Sequence, residues 1–158
     1  WSYKDKCVLV GDSAHAIVPF YGQGMNAAFE DCTVLNECLD SHGDGEWDAL
    51  FEEYGKRRIA NGHAIADLAI EHYIEMRDST GDADWQFRKA IEFRLERTFP
   101  KYISQYEMVS FTRIPYAEAQ RRGLLNEEIL HTLAEGIDNV DQVDMELAEK
   151  LIEGKLGS

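Results

Sequence analysis

Positive charge is scarce in this sequence: 16 Lys and Arg stand against 30 Asp and Glu, a formal net charge of −14 over 158 residues. Nucleic acid is gripped largely by neutralising its phosphates with basic groups, so no nucleic-acid partner is expected. Cysteine is equally sparse. Cys7, Cys32 and Cys38 are odd in number and form no CxxC pair, which fits neither a disulfide framework nor a zinc site of cysteine type. A reducing, cytoplasmic location and no metal are therefore expected. No apolar run reaches the ~18 residues a membrane-spanning helix requires, and no charged-then-apolar leader opens the chain. We expect a soluble chain with no membrane span. Repeats and low-complexity tracts are also missing. What remains, 44% hydrophobic and 11% aromatic residues, is enough to fill a core despite the acidity.

The chain opens at Trp1, without an initiator Met, and within a few residues comes the apolar run from Lys6 to Val10, bounded by Gly11 and Asp12. Such a run predicts a strand buried on both faces of a parallel sheet. With no visible partner for it here, the expectation is a piece of a longer protein. A loop punctuated by Pro19, Gly22 and Gly24 leads to Met25, Ala28, Phe29, Cys32, Leu35 and Leu39 at helical spacing, predicting an amphipathic helix with those residues inward. The stretch Ser41 to Gly45 ends it. A long helical region from Glu46 to Asp78 follows, bent or interrupted near Gly55 and Gly62, with Ile59, Ala66, Ala69, Ile70, Tyr73 and Met76 on one face, and it stops at Ser79 to Asp82. A third helix is predicted from about Asp84 to Thr98, with Phe87, Ile91 and Leu95 inward and Pro100 forcing extended backbone before it. Tyr102 to Phe111 reads as strand or irregular. Beyond Pro115 the pattern is helical to Arg122, breaks at Gly123, and resumes as two short acidic helices, Asn126 to Glu135 and Asp141 to Glu153.

One segment carries chemistry. Gly11 and Asp12 close a predicted strand, and a glycine-bracketed loop then enters a helix near Met25. This puts backbone amides and the positive end of a helix where an anion could be held. A carboxylate at a strand's end can accept hydrogen bonds from vicinal ribose hydroxyls, which makes Asp12 a nucleotide-ribose candidate. For a lone Gly-Asp or Gly-x-Gly the plainer alternative, a turn cap and a shaped loop, has the better claim.

The whole string Gly11-Asp-Ser-Ala-His-Ala-Ile-Val-Pro-Phe-Tyr-Gly-Gln-Gly-Met-Asn-Ala-Ala-Phe-Glu-Asp31 resembles the second flavin-binding motif of the FAD-dependent aromatic hydroxylases. Within that family the likeness is nearest to the kynurenine-hydroxylating branch. It is echoed again by His63-Ala-Ile-Ala-Asp-Leu68, Tyr73-Ile-Glu-Met-Arg77 and Tyr106-Glu-Met-Val-Ser-Phe-Thr-Arg113, and it covers roughly residues 3–122. The fold it implies is a mainly α chain, the C-terminal fragment of an α/β FAD-binding, para-hydroxybenzoate hydroxylase-like flavoprotein with a helical C-terminal domain. Residues 1–40 would belong to the FAD-binding domain, 41–123 to a helical substrate-side region and 124–158 to an acidic helical tail.

The resemblance also implies roles. Gly11 and Asp12 would meet the ribityl or ribose part of FAD, while Pro19, Gly22, Gln23, Gly24, Met25 and Asn26 would lie along the isoalloxazine ring, with the helix amides facing its pyrimidine edge. No residue is assigned acid or base catalysis. In the family NADPH reduces the flavin, oxygen adds to give a flavin hydroperoxide, and the aromatic ring of the substrate, here L-kynurenine, attacks its distal oxygen. Protein groups mainly position the substrate and exclude water. His72, Glu75 and Met76 match helix positions that line the substrate pocket, Tyr106 matches a tyrosine that closes over it, and Phe20, with Tyr21, is a pocket-wall candidate. His72 stands where relatives carry Asn, which brings a titratable group to the substrate.

Each residue has a plainer reading. Glu75 and Arg77 suit a solvated helix face; Tyr73 and Met76, or Tyr106, Met108 and Phe111, suit ordinary core; His15 has no partner at catalytic spacing and reads as structural. The opening Gly-x-Gly-x-x-Gly unit and the Arg and Tyr that clamp the substrate carboxylate in relatives are not in this sequence. The chain alone is therefore expected to be inactive, to need the missing N-terminal half of the same enzyme as its partner, and to self-associate through apolar surface left uncovered. Two other functions remain open at this point: a flavin monooxygenase for another aromatic substrate, and a non-catalytic helical interaction domain.

Overall fold

The apolar run near the start does find a partner, and it lies immediately upstream. In a computed structural model describing residues 1–43, 45–79 and 81–157, β1 (Ser2–Tyr3) pairs antiparallel with β2 (Cys7–Val8), Ser2 opposite Val8 and Tyr3 opposite Cys7. The Lys6 amide bonds the Tyr3 carbonyl at 3.1 Å and the Leu9 amide bonds the Trp1 carbonyl at 2.7 Å. The buried five-residue parallel strand expected from Lys6 to Val10 is thus corrected to a two-residue, largely exposed hairpin arm.

The chain divides into two compact units, Trp1–Tyr73 and Ile74–Ser158. In the first, α1 (Asp12–His15) is a single turn, and α2 (Gly24–His42) and α3 (Trp47–Ile74) are long helices. The break between α2 and α3 includes Asp44, which lies outside the described residues. Helix α2 buries Ala27, Asp31, Val34 and Cys38, a stripe at i, i+4, i+7 and i+11. This corrects the predicted inward face: Met25, Phe29, Cys32 and Leu39 point to solvent, and Ala28 and Leu35 are half-buried. Val34 and Cys38 pack on Leu50, Phe51 and Tyr54 of α3, with Trp1, Val8 and Val10 closing the cluster. The face predicted for α3 is only partly right, since Ala69 is buried while Ile70, Tyr73 and Met76 are exposed.

Helix α3 runs unbroken through Gly55 and Gly62, so neither glycine interrupts it. Gly62 serves packing instead. A Cβ there would collide with the Trp1 indole, whose ring also meets His15, Tyr54 and His63.

The second unit opens with a π-helical turn, Glu75–Ser79. After a break that includes Thr80, also outside the described residues, come α4 (Ala83–Thr98), α5 (Gln105–Phe111), α6 (Tyr116–Ala134) and α7 (Met145–Leu156). Asp82 caps α4, and Phe99 turns extended ahead of Pro100, as the proline requires. Tyr102 to Phe111, expected to be strand or irregular, contains α5, capped by Ser104 accepting from the Glu107 amide. The break expected at Gly123 is absent: α6 is continuous through it, and a Cβ at that position would meet the Gln105 side chain. The two short tail helices are corrected accordingly. The first is the end of α6, and the second begins at Met145 behind Asp144, whose carboxylate accepts from the Glu146 and Leu147 amides at 3.0 Å each. The core of this unit gathers Ile91 and Leu95 with Tyr102, Ile129, Leu130, Leu133, Val143, Ala148 and Ile152.

Candidate functional site

The chain turns sharply after β2 because Gly11 adopts φ 63°, a left-handed conformation glycine takes without a Cβ penalty. The turn leaves the Gly11 amide aimed at the Asp31 carboxylate, 2.9 Å away, and places Asp12 at the exposed start of α1. Residues 16–23 then return to the amino end of α2. Between them lies an open concavity of about 480 Å³ walled by Asp12, Ile17, Pro19, Gly22, Gly24, Met25 and Ala28.

Five of the eight expected cofactor-binding residues, Asp12, Pro19, Gly22, Gly24 and Met25, share this concavity. Gln23 and Asn26 do not line it; they bond each other, Asn26 Nδ2 donating to Gln23 Oε1 at 2.8 Å. Gly11 lies behind, buried. The N-cap residue of α2, Gln23, makes no side-chain cap hydrogen bond, and the amino end of this 19-residue helix, with its partial positive charge, borders the concavity through Gly24 and Met25. Nothing stands within 4 Å of where a Cβ would be on Gly22 or Gly24, which leaves bare backbone for a flat ring to approach. A carboxylate acceptor, the amino end of a helix and unscreened glycine backbone in one concavity suit a flavin nucleotide.

The loop's aromatic tip rests on the end of α3. Phe20 stacks on Tyr73 with ring centroids 4.3 Å apart, and Tyr21 on His72 at 4.5 Å. His72, expected at the substrate, is thus joined to the flavin-loop segment through Tyr21. The other expected substrate residues belong to the second unit. Glu75 accepts from the Trp85 indole N–H at 2.9 Å and pairs with Lys89 at 3.3 Å, so it is not simply a solvated face. Met76 is exposed. Tyr106 is exposed and meets Phe111 edge-on at 6.1 Å, so of the three residues with a plain core reading there only Met108 is buried.

Sequence reasoning missed the ionic cluster behind the concavity. Asp31 is wholly buried and receives His15 Nε2 at 2.6 Å, Arg58 Nε at 2.6 Å and the Gly11 amide. A carboxylate only accepts, so His15 carries its proton on Nε2 in this bond. His15, read from the sequence as structural, is buried against a residue 16 positions along the chain. Burial by itself would raise the Asp31 carboxyl; the bonds from Gly11, Arg58 and His15 outweigh it and hold the group below its usual range. Arg58 also reaches Glu30 Oε1 at 3.0 Å and the Ala27 carbonyl at 3.4 Å. The available signal was the placement of Asp31 and Arg58 on helix faces that repeat with Ala27 and Tyr54. Among the described residues no group of His, Cys, Asp and Glu forms a metal site, and no helix is long and apolar enough to cross a membrane.

Comparison with known proteins supplies the context. Residues 2–69 match a family described as "FAD binding domain". Kynurenine 3-monooxygenase of Dictyostelium discoideum is 46% identical across 96% of this chain and 36% of its own length. The enzyme of the same name from Myxococcus xanthus is 45% identical across 99% and 33%, and that from Cytophaga hutchinsonii 50% across 78% and 28%. The chain spans about a third of the length of these relatives.

Proposed function

We propose that this chain belongs to the FAD-dependent aromatic hydroxylases, in the branch of the kynurenine 3-monooxygenases it is similar to, and that it forms the flavin-loop and helical substrate-side part of an enzyme converting L-kynurenine to 3-hydroxykynurenine with FAD and NADPH. The observation that carries this reading is the concavity at the uncapped start of α2, walled by Asp12, Pro19, Gly22, Gly24 and Met25 within the matched segment. Bound flavin supplies the redox and oxygen chemistry.

The chain's own residues bind and orient. Asp12 accepts hydrogen bonds from sugar hydroxyls of the cofactor. The first-turn amides of α2 stabilise negative charge on the ring without reorganising, and the loop bearing Pro19 and Phe20 keeps water away from it. His72, Glu75, Met76 and Tyr106 are the substrate-binding residues in this proposal, on the strength of their match to the family.

The test is made on the whole protein that contains this chain. It is expected to purify yellow, to lose FAD affinity on Asp12→Ala, and to oxidise NADPH faster when kynurenine is added. A colourless protein that takes up no FAD would end the flavin reading and leave a helical interaction domain. The alternative of another aromatic substrate is favoured by one observation, the imidazole of His72 stacked on Tyr21, at a position where the family resemblance implies an asparagine. Assays with kynurenine against other anilines and hydroxyaromatics separate the two, and His72→Asn tightens kynurenine binding only if the site is a kynurenine pocket.

A further inference from the structure

The two walls of the concavity belong to different elements: Asp12 to α1, and Gly24 and Met25 to the start of α2. A flavin can use both only if their spacing is fixed. We propose that Asp31 is a positioning residue for the cofactor, its buried carboxylate holding α1 against α2 so that Asp12 and the amino end of α2 stand at a set distance.

The bonds support this assignment. Gly11 and His15 flank α1 at its two ends, and both bond to Asp31 Oδ2, at 2.9 and 2.6 Å. Oδ1 is taken by Arg58 Nε of α3 at 2.6 Å, and the same guanidinium reaches the Ala27 carbonyl in the first turns of α2. The carboxylate is thereby locked in orientation by one neighbour helix while it locks the turn that carries Asp12. The Gly11 Cα also lies close over α2, since a Cβ there would stand 3.2 Å from the Ala28 Cβ. Stability alone is a poor reason for such a cluster. Apolar groups of similar volume in place of a buried ion pair often fold as well or better, whereas a buried carboxylate with both oxygens engaged, as those of Asp31 are, is held in one orientation and specifies one geometry.

The inference rests on the flavin reading above. Its test is FAD affinity of the intact apoprotein, read by quenching of flavin fluorescence, beside the melting temperature of each variant. Asp31→Asn is expected to weaken FAD binding about tenfold or more, as a displaced binding group does. Val34→Ala, on the same buried face of α2 but away from the concavity, lowers the melting temperature and leaves affinity within about twofold. Should Asp31→Asn not fold, the His15 pair decides: His15→Leu weakens binding, and His15→Gln, whose amide nitrogen can donate to Asp31, restores it. Equal affinity loss in Asp31→Asn and Val34→Ala at equal melting temperature, or no difference between the two His15 variants, would overturn the assignment. Wild-type protein that binds no FAD sinks the flavin reading itself, whereas wild-type binding left untouched by Asp31→Asn sinks only this inference.

Discussion

Gly62 and Asp31 show how single positions hold the first unit together by opposite means. At Gly62 the missing side chain makes room for the Trp1 ring, which is itself wedged among His15, Tyr54 and His63. Gly62→Ala adds helix propensity worth up to ~1 kcal/mol, but overpacking against an aromatic ring costs about 1–3 kcal/mol. The variant is therefore expected to be less stable, seen as a lower urea midpoint with an unchanged slope. At Asp31 the effect is electrostatic and pH-dependent. Its folded carboxyl lies below the ordinary value because Gly11, Arg58 and His15 outweigh burial, and an unfolded aspartate titrates near ~3.9. Its contribution is then complete above about pH 4 and drains away as pH falls through the depressed folded value. Melting temperature measured from pH 6 to 2 should fall along a limb that Asp31→Asn flattens. Glu118, drawn down to about 2 by Arg121 and Arg122, is a contrasting case. It is about a third exposed, where solvent screens such pairs, so Glu118→Gln should leave that limb almost unmoved.

Among the elements, legibility followed how locally the signal is written. Helix α4 was readable because its apolar spacing and Pro100 are contiguous, and the loop that leads from Gly11 into α2 because its glycines and proline lie close together in the chain. Helix α5 was not: its tyrosine, valine and phenylalanine favour strands, and that composition obscured the capping pair Ser104 and Glu107. The α2 face was misjudged because the stripe that packs inward contains Asp31, a residue whose partners His15 and Arg58 lie 16 and 27 positions away; apolar periodicity alone turned the helix toward Met25 and Phe29. Gly123 was taken as a break when helix α6 uses it as a gap beside Gln105. Here the neighbour is flexible, unlike the indole at Gly62. Gly123→Ala should therefore be neutral or stabilise by up to ~1 kcal/mol through helix propensity, while Ser104→Ala, which removes the α5 cap, costs about 1 kcal/mol. Denaturant titration of the two variants gives opposite signs if this account of the elements is right.

For the molecule as a whole, the decisive feature is apolar surface that nothing in the first unit covers. Met25 and Phe29 are 68% and 63% exposed, and Leu39 lies further along α2 on solvent as well. Side chains of this size, set in line on one helix, are what a folded monomer normally puts against a partner. A net charge of −14 opposes association at low ionic strength and less so once salt screens it. We propose that the 158-residue chain studied by itself therefore self-associates, more strongly at physiological salt than at low salt. Phe29→Glu should abolish the association and leave the helical circular dichroism intact, because Phe29 lies outside the core cluster of Val34, Cys38, Leu50, Phe51 and Tyr54. Sedimentation velocity over a hundredfold range of concentration decides it. A single monomer boundary throughout would mean that this face of α2 is tolerated in water, and a dimer unaffected by Phe29→Glu would move the contact elsewhere on the chain.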